Sequence, residues 1–451
     1  MSETRSVLGL ALLYAFRMLG LFIILPVIQV LGRDYPDASP SLLGLAMGIY
    51  GASQALLQIP FGWLSDRFGR KRIITLGLIL FCAGSLLAAA ADSIGLVILG
   101  RALQGAGAVS AAIMALLADL TSDDNRSKAM ASIGGAIGVA FAVALIAGPL
   151  IGEFAGLDGV FLLSAALGLL GIAILWLVVP RPPEVLGSHI DVSPDLSQLS
   201  SVLRNANLLR LNLGIFCLHL VLMIVFSVVP LTLEQFGWAL SAHWKFYLPL
   251  LGVSFLTMIP LVIVGEKKGF IKQVFLLAIV LMLASFALLS LSLQRFGLFT
   301  LSLFVFFFGF NLLEALLPSL VSKIAPAGRK GMALGIYATC QFSGVFVGAT
   351  AAGWLIEQDH MILTAWLAAG ALLVWLMASL GLQVPPNSKR IQLPLGEAGD
   401  TDQADLKARL MTLPGVREIF FDQKSMMLYL KVDKRGFDPD LAKKTIAEIT
   451  V

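Results

Sequence analysis

The sequence predicts an all-α polytopic membrane protein: twelve transmembrane helices in two six-helix halves, with a small α+β domain at the C-terminal end. Three observations predict it. The chain has 451 residues, of which 58% are hydrophobic and only 13% charged, a balance far from that of soluble domains. Twelve apolar runs follow one another between Leu8 and Leu382, most of them near the length of about 20 residues that a bilayer-crossing helix needs. From about Pro385 the apolar runs stop, and residues 388–451 mix acids and bases as a water-exposed domain does. The net charge of +4 fits a loop bias in a membrane protein, not a nucleic-acid footprint.

The runs cover approximately 8–31, 41–65, 72–91, 94–119, 128–154, 157–180, 208–234, 246–265, 271–293, 297–322, 331–356 and 361–382. Met1 to Ser6 lead into the first run without a small-residue cleavage site, so that run is expected to serve as its own insertion signal. Pro180-Arg181-Pro182-Pro183 ends the sixth run, and polar sequence follows to Asn207. Proline and polar residues at a helix end read as a linker. The expected domains are therefore 1–180, a linker 181–207, 208–383, a linker 384–387 and a tail 388–451. Basic residues such as Arg67, Arg70, Lys71, Arg72, Lys267, Lys268, Lys272, Lys323 and Lys330 collect in alternate loops, against only Arg33, Lys245 and Arg295 in the others. By the positive-inside bias both termini are expected in the cytoplasm, and an even number of spans agrees. Cys82, Cys217 and Cys340 all lie inside apolar runs, with no disulfide or metal spacing.

Between the second and third runs lies a charged island, Gly62-Trp63-Leu64-Ser65-Asp66-Arg67-Phe68-Gly69-Arg70-Lys71-Arg72. No acid or base interrupts Leu42 to Leu64 before it or Ile73 to Ala91 after it. Its glycines permit a sharp bend and close helix approach. Gly62-x-Leu64-x-Asp66-Arg67-x-Gly69-Arg70-Lys71-Arg72 resembles motif A of the major facilitator superfamily. Gly265-Glu266-Lys267-Lys268-Gly269 follows the eighth run as an echo, as expected of parallel structural halves. The resemblance implies the major facilitator fold and a conformational switch. In it, Asp66 meets the start of the eleventh helix near Lys330, and Arg70 pairs with Asp119 at the same membrane face.

Two further stretches extend the resemblance. Arg101-Ala102-Leu103-Gln104-Gly105-x-Gly107 is similar to motif B, which implies proton coupling through Arg101, with Gln104 and Gly105 beside it. Gly135-x8-Ala144-x3-Gly148-Pro149-x2-Gly152-Glu153 is similar to motif C of drug/proton antiporters, which implies a bent, closely packed fifth helix. Ala144 and Glu153 stand where that pattern has glycine. In the tail, strand signals at 390–395, 416–421 and 426–432 and helix signals at 402–413 and 438–449 give the order βαββα. That order resembles a ferredoxin-like domain of the heavy-metal-associated type. The cysteine pair that binds metal in that type is absent, so no metal is expected. A twelve-span facilitator with such a tail is similar to the YajR-like group of bacterial transporters.

An ionisable side chain in mid-membrane costs at least about 2.5–3.5 kcal/mol and therefore needs a reason. Arg17, Asn311 and Glu314 are the cavity and protonation candidates: Asn311 and Glu314 share one helix face, and Arg17 is a counter-ion or a substrate contact. His219 is expected to be a packing histidine. No G-x-x-x-x-G-K-[ST] phosphate loop, nucleophile–base set or metal cluster is present, so neither ATP hydrolysis nor an enzyme is expected. The expectation is a proton-coupled efflux carrier of small amphipathic molecules in a bacterial inner membrane. It uses the proton gradient and no cofactor. Its partners are the bilayer, protons and a small-molecule substrate, with no nucleic acid, and it works as a monomer with a regulatory tail. A uniporter or symporter, and a membrane sensor without net transport, are the alternatives.

Overall fold

The computed structural model describes residues 2–180, 202–292, 295–326, 330–384, 388–394, 403–422, 427–433, 437–438, 440–442 and 444–445. Among them, eleven helices are long and apolar enough to cross a membrane. One of these carries two of the expected spans. Helix α7 (Asp123–Leu177) runs 55 residues but breaks at Gly156, where φ is 62° and ψ −167°. A side chain is strained at such a φ, so glycine makes the reversal between the fifth and sixth runs without a loop.

The first half begins with α1 (Ser2–Phe22), which ends earlier than its apolar run; irregular turns and the short α2 (Ile28–Leu31) complete it. Then come α3 (Pro40–Phe68) and α4 (Arg70–Ala89). The fourth run is two helices, α5 (Ile94–Ala106) and α6 (Ser110–Asp119), interrupted at Gly107. Ser39 accepts from the Leu42 amide and caps α3, with Pro40 in its first turn. Gly69 alone separates α3 from α4; at φ 94° it makes the island a one-residue corner. In the second half, α8 (Ala206–Gln235) is capped by Asn205. It is followed by α9 (Trp244–Lys268), α10 (Ile271–Ser292), α11 (Phe296–Ile324), α12 (Lys330–Glu357) and α13 (Met361–Leu380). Gly269 ends α9 at φ 77°, so the echo of the island also turns on a left-handed glycine.

Helix α3 packs along α12, α1 along α7, and α8 against α12. The α3–α12 seam joins the halves and runs on small residues. A Cβ on Gly44 would stand 2.5 Å from the Ala349 carbonyl oxygen, and one on Gly51 would stand 2.6 Å from that of Phe342. Two apolar clusters result. One fills the first half around Tyr50, Phe61 and Phe81; the other runs from α2 and α3 into the second half. Many large apolar side chains on the outer surfaces are exposed, among them Leu56, Phe154, Leu177, Leu256 and Leu291, as lipid-facing positions require.

In the tail, β1 (Ser388–Pro394), α14 (Gln403–Met411), β2 (Val416–Asp422) and β3 (Met427–Asp433) form a three-stranded antiparallel sheet in the order β1-β3-β2. The hairpin's second strand therefore lies between β1 and β2, as in a split βαβ unit. Leu406 and Leu410 of α14 pack on Leu393, Leu428, Leu430 and Val432. Of the expected second helix, 438–449, residues 440–442 and 444–445 are helical, and 439, 443 and 446–449 lie outside the described residues.

Candidate functional site

At the basic end of the helices, the Gly69 corner brings α3 and α4 together so that the island folds back on itself. Arg70 donates to Asp66, to Ser65 Oγ at 2.8 Å and to Asp119 Oδ2 at 3.2 Å. Ser65 is held by donating to the Gly62 carbonyl at 2.7 Å. Lys71 donates to the Val179 carbonyl at 2.5 Å and lies over the Trp176 ring, tying α4 to the end of α7. Arg67 lies against the rings of Trp63 and Phe68. The island, α6 and α7 are thus linked at one membrane face. Residues 327–329, just before α12 starts at Lys330, lie outside the described residues.

Deeper in the first half two guanidiniums are buried. Arg17, in α1, donates to Ser110 Oγ at 2.8 Å, Gln54 Oε1 at 2.9 Å, Tyr50 Oη at 3.1 Å and the Gly107 carbonyl at 3.3 Å. At the Gly107 break between α5 and α6 that carbonyl also accepts from the Val109 amide at 2.9 Å, and Ser110 opens α6. Arg101 donates to Gln104 Oε1 at 2.8 Å and to the Ala46 carbonyl at 3.2 Å, and its Cζ stands 4.9 Å over the Tyr50 ring. Gln104 in turn donates to Ser85 Oγ at 2.6 Å. Gly105 lets α5 press on α3: a Cβ there would stand 2.3 Å from the Tyr50 carbonyl oxygen. Tyr50 therefore touches both arginines, one at its hydroxyl and one at its face.

The second half holds a separate polar group. Asn311 and Glu314 lie on α11, and Asn311 Nδ2 and Glu314 Oε2 are both buried without a hydrogen-bond partner. Tyr337 of α12, within electrostatic reach of Glu314, has an unpartnered hydroxyl as well. His219 of α8 and Gln341 of α12 share a 2.7 Å hydrogen bond between their side-chain nitrogens, and the His219 ring rests near Phe310.

Several expectations change. Arg17 is not paired with Glu314; its hydrogen-bond partners all belong to the first half, on α3 and at the Gly107 break. Arg101 meets no carboxylate, only neutral acceptors and a ring. Gly135 makes no close helix approach, since no atom stands within 4 Å of the place its Cβ would take; Gly148 and Gly152 do, at 2.5 Å from the Ile23 carbonyl oxygen and 2.8 Å from Leu31. Pro149 lies within α7, and the backbone break falls seven residues later, at Gly156.

A set of contacts between the halves at the end opposite the island is not legible in the sequence. Glu357, closing α12, accepts from the Ser41 amide at 3.0 Å and Ser39 Oγ at 3.1 Å, so it caps the N-terminus of α3 from the other half. Arg33 donates to Glu234 Oε2 at 2.5 Å, and the Ser241 amide donates to Glu153 Oε2 at 3.3 Å. The available signal was an acid at the end of a run, at Glu153, Glu234 and Glu357; its partner across the halves is visible only in three dimensions.

The sequence model described as Major Facilitator Superfamily matches residues 10–349, and again 242–430. The chain is 42% identical over 440 residues to the inner membrane transport protein YajR of Escherichia coli (strain K12), covering 96% of this chain and 95% of that one. It is 35% identical over 158 residues to the class B tetracycline resistance protein of Escherichia coli, covering 34% of this chain and 38% of that one. In fold it is similar to a bacterial homologue of the human lysosomal transporter Spinster in an inward-facing, occupied conformation, with a TM-score of 0.69 at 16% identity over 84% of this chain and 96% of that one. The family model spans most of the helical part and the first relative nearly the whole chain, so this protein belongs to the major facilitator superfamily.

Proposed function

We propose that this superfamily transporter is a proton-coupled carrier of the bacterial inner membrane, exporting small amphipathic molecules by rocking one half against the other. The observation that carries the reading is Glu314. It is the one carboxylate away from the helix ends and the Gly156 break among the described spans, and its Oε2 is buried without a partner. A group that must take up and release a proton during the cycle suits that position better than a structural ion pair does, because nothing holds it in one charge state. The resistance named for the tetracycline relative supports the outward direction. The basic loops support a cytoplasmic island, and on that reading the contacts of Glu153, Glu234 and Glu357 close the outer face.

The tail, read as a ferredoxin-like domain, is proposed to regulate the carrier. It has its own leucine core and follows the last span by a short, proline-containing link, which keeps it near the cytoplasmic mouth.

The test is solute movement in vesicles reconstituted with the intact chain and screened over amphipathic compounds. Substrate movement against its gradient that stops when an ionophore collapses the proton gradient is the expected result. Movement indifferent to the ionophore would refute proton coupling.

A further inference from the structure

Away from the helix ends and the Gly156 break, the described spans hold four side chains of the Arg, Lys, His, Asp or Glu type: Arg17, Arg101, His219 and Glu314. Both permanent cations are in the first half, and neither meets a carboxylate. The ion pairs of Arg33 with Glu234 and of Arg70 with Asp66 and Asp119 lie at helix ends. Arg17 and Arg101 are each only 1% exposed. Neutral dipoles solvate them in part: a serine, a tyrosine and two glutamine side chains, with backbone carbonyls. A buried charge with only neutral partners remains expensive until a counter-charge arrives. A guanidinium has five N–H donors, and neither set is used up. Arg17 Nε and Arg101 Nη2 are buried with no acceptor.

The surroundings suit the rest of a ligand. The Tyr50 ring lies near Phe342 of α12, and Phe141 of α7 lies between Phe22 of α1 and Phe226 of α8. Tyr50 and Phe342 belong to different halves, so an apolar body between them would touch surfaces that move past each other.

We propose that Arg17, with Tyr50, Gln54 and Ser110 and backed by the charge of Arg101, binds the anionic group of the carried molecule, and that the substrates are organic anions: an oxyanion on an apolar, aromatic-sized body. This deepens the transport reading and rests on it. The oxyanion supplies the counter-charge that the first half lacks, and a charge-assisted bond to a guanidinium is about twice as strong as a neutral one. Rocking then carries the anion with the first half while its apolar body exchanges one set of rings for the other.

The probes are radiolabelled 2-naphthoate and its neutral counterpart 2-naphthylmethanol. Their binding to the intact protein in lipid nanodiscs is measured by equilibrium dialysis, and their movement in reconstituted vesicles alongside. Naphthoate is expected to bind at least tenfold more tightly than the alcohol. Arg17→Gln removes that preference, and Tyr50→Phe weakens naphthoate several-fold while leaving the alcohol unchanged. If Arg17→Gln is not monodisperse, Tyr50→Phe carries the test. Equal binding of the two probes, no naphthoate binding at millimolar concentration, or a preference that survives in folded Arg17→Gln overturns the proposal. Vesicles that move the alcohol by the proton gradient but ignore naphthoate overturn the anion assignment and leave the transport reading standing. Vesicles that move naphthoate with no response to the gradient leave the anion assignment standing and remove proton coupling.

Discussion

At the residue scale, Glu314 and Arg70 make opposite kinds of prediction. The Glu314 carboxyl has an oxygen with no hydrogen-bond partner, so replacing it with a neutral isostere removes little structure. Glu314→Gln is expected to leave substrate exchange down a gradient within a few-fold of normal and to abolish accumulation against one, as measured in vesicles with an imposed pH difference. Normal uphill movement in that variant would take Glu314 out of the mechanism. Arg70 is the reverse case, because three partners from α3 and α6 converge on it. Arg70→Ala leaves Asp66 and Asp119 facing each other at one membrane face without their shared cation. Flux is expected to fall for every substrate with no change in their ranking. A changed ranking at unchanged total flux would contradict a conformational role.

At the scale of elements, the α3–α12 seam depends on glycines that admit no side chain. A Cβ on Gly44 would meet backbone, the Ala349 oxygen at 2.5 Å and the Gly353 Cα at 2.8 Å, and backbone cannot swing aside. Gly44→Val should therefore cost about 1–3 kcal/mol of packing, the usual range for overfilling a close contact. It is expected to lower the midpoint of thermal unfolding in detergent by several degrees. Gly135→Val, on an open face of α7, should leave the midpoint unchanged; equal effects of the two would mean that the seam does not carry the packing. The tail is a second element-scale case. Ending the chain after Val384 should leave an inserted carrier whose activity responds less to ionic strength than that of the whole chain. Matching salt responses would reduce the tail to a passive appendage.

At the scale of the whole molecule, two polar sets stand at opposite ends of the bundle. The island set joins α3, α4 and α6 within the first half, whereas Glu153, Glu234 and Glu357 join one half to the other. An exposed pair is worth only about 0–1 kcal/mol. Three acting together shift a two-state balance measurably, since each 1.4 kcal/mol is a factor of about ten. Glu357→Gln with Glu234→Gln is thus expected to open the end they close. A cysteine placed at Thr350, on α12 against Gly48, in a background without Cys82, Cys217 and Cys340, should then react several-fold faster with a membrane-impermeant reagent added from that side. Unchanged labelling would show that apolar packing alone holds that end.

The sequence by itself determined the series of membrane-length apolar helices, the island and its echo, and the βαββ order of the tail's first elements. Each is set by local chemistry: a bilayer demands long apolar helices, a sharp corner demands glycine, and strands and helices differ in apolar period. It also singled out Arg17, Arg101 and Glu314, because charge in hydrocarbon is costly wherever it sits. Only the tertiary structure decided what those side chains touch. Tyr50, Gln54 and Ser110 look like ordinary polar residues in apolar runs until the fold sets α3 beside Arg17 and the Gly107 break starts α6 at Ser110. Glu357 looks like a span-ending acid until the halves close and set it at the first turn of α3. The partners lie 33 to 93 residues away from Arg17 and 316 and 318 from Glu357. Periodicity reports which face of a helix is apolar; which other helix meets that face depends on how the halves pack.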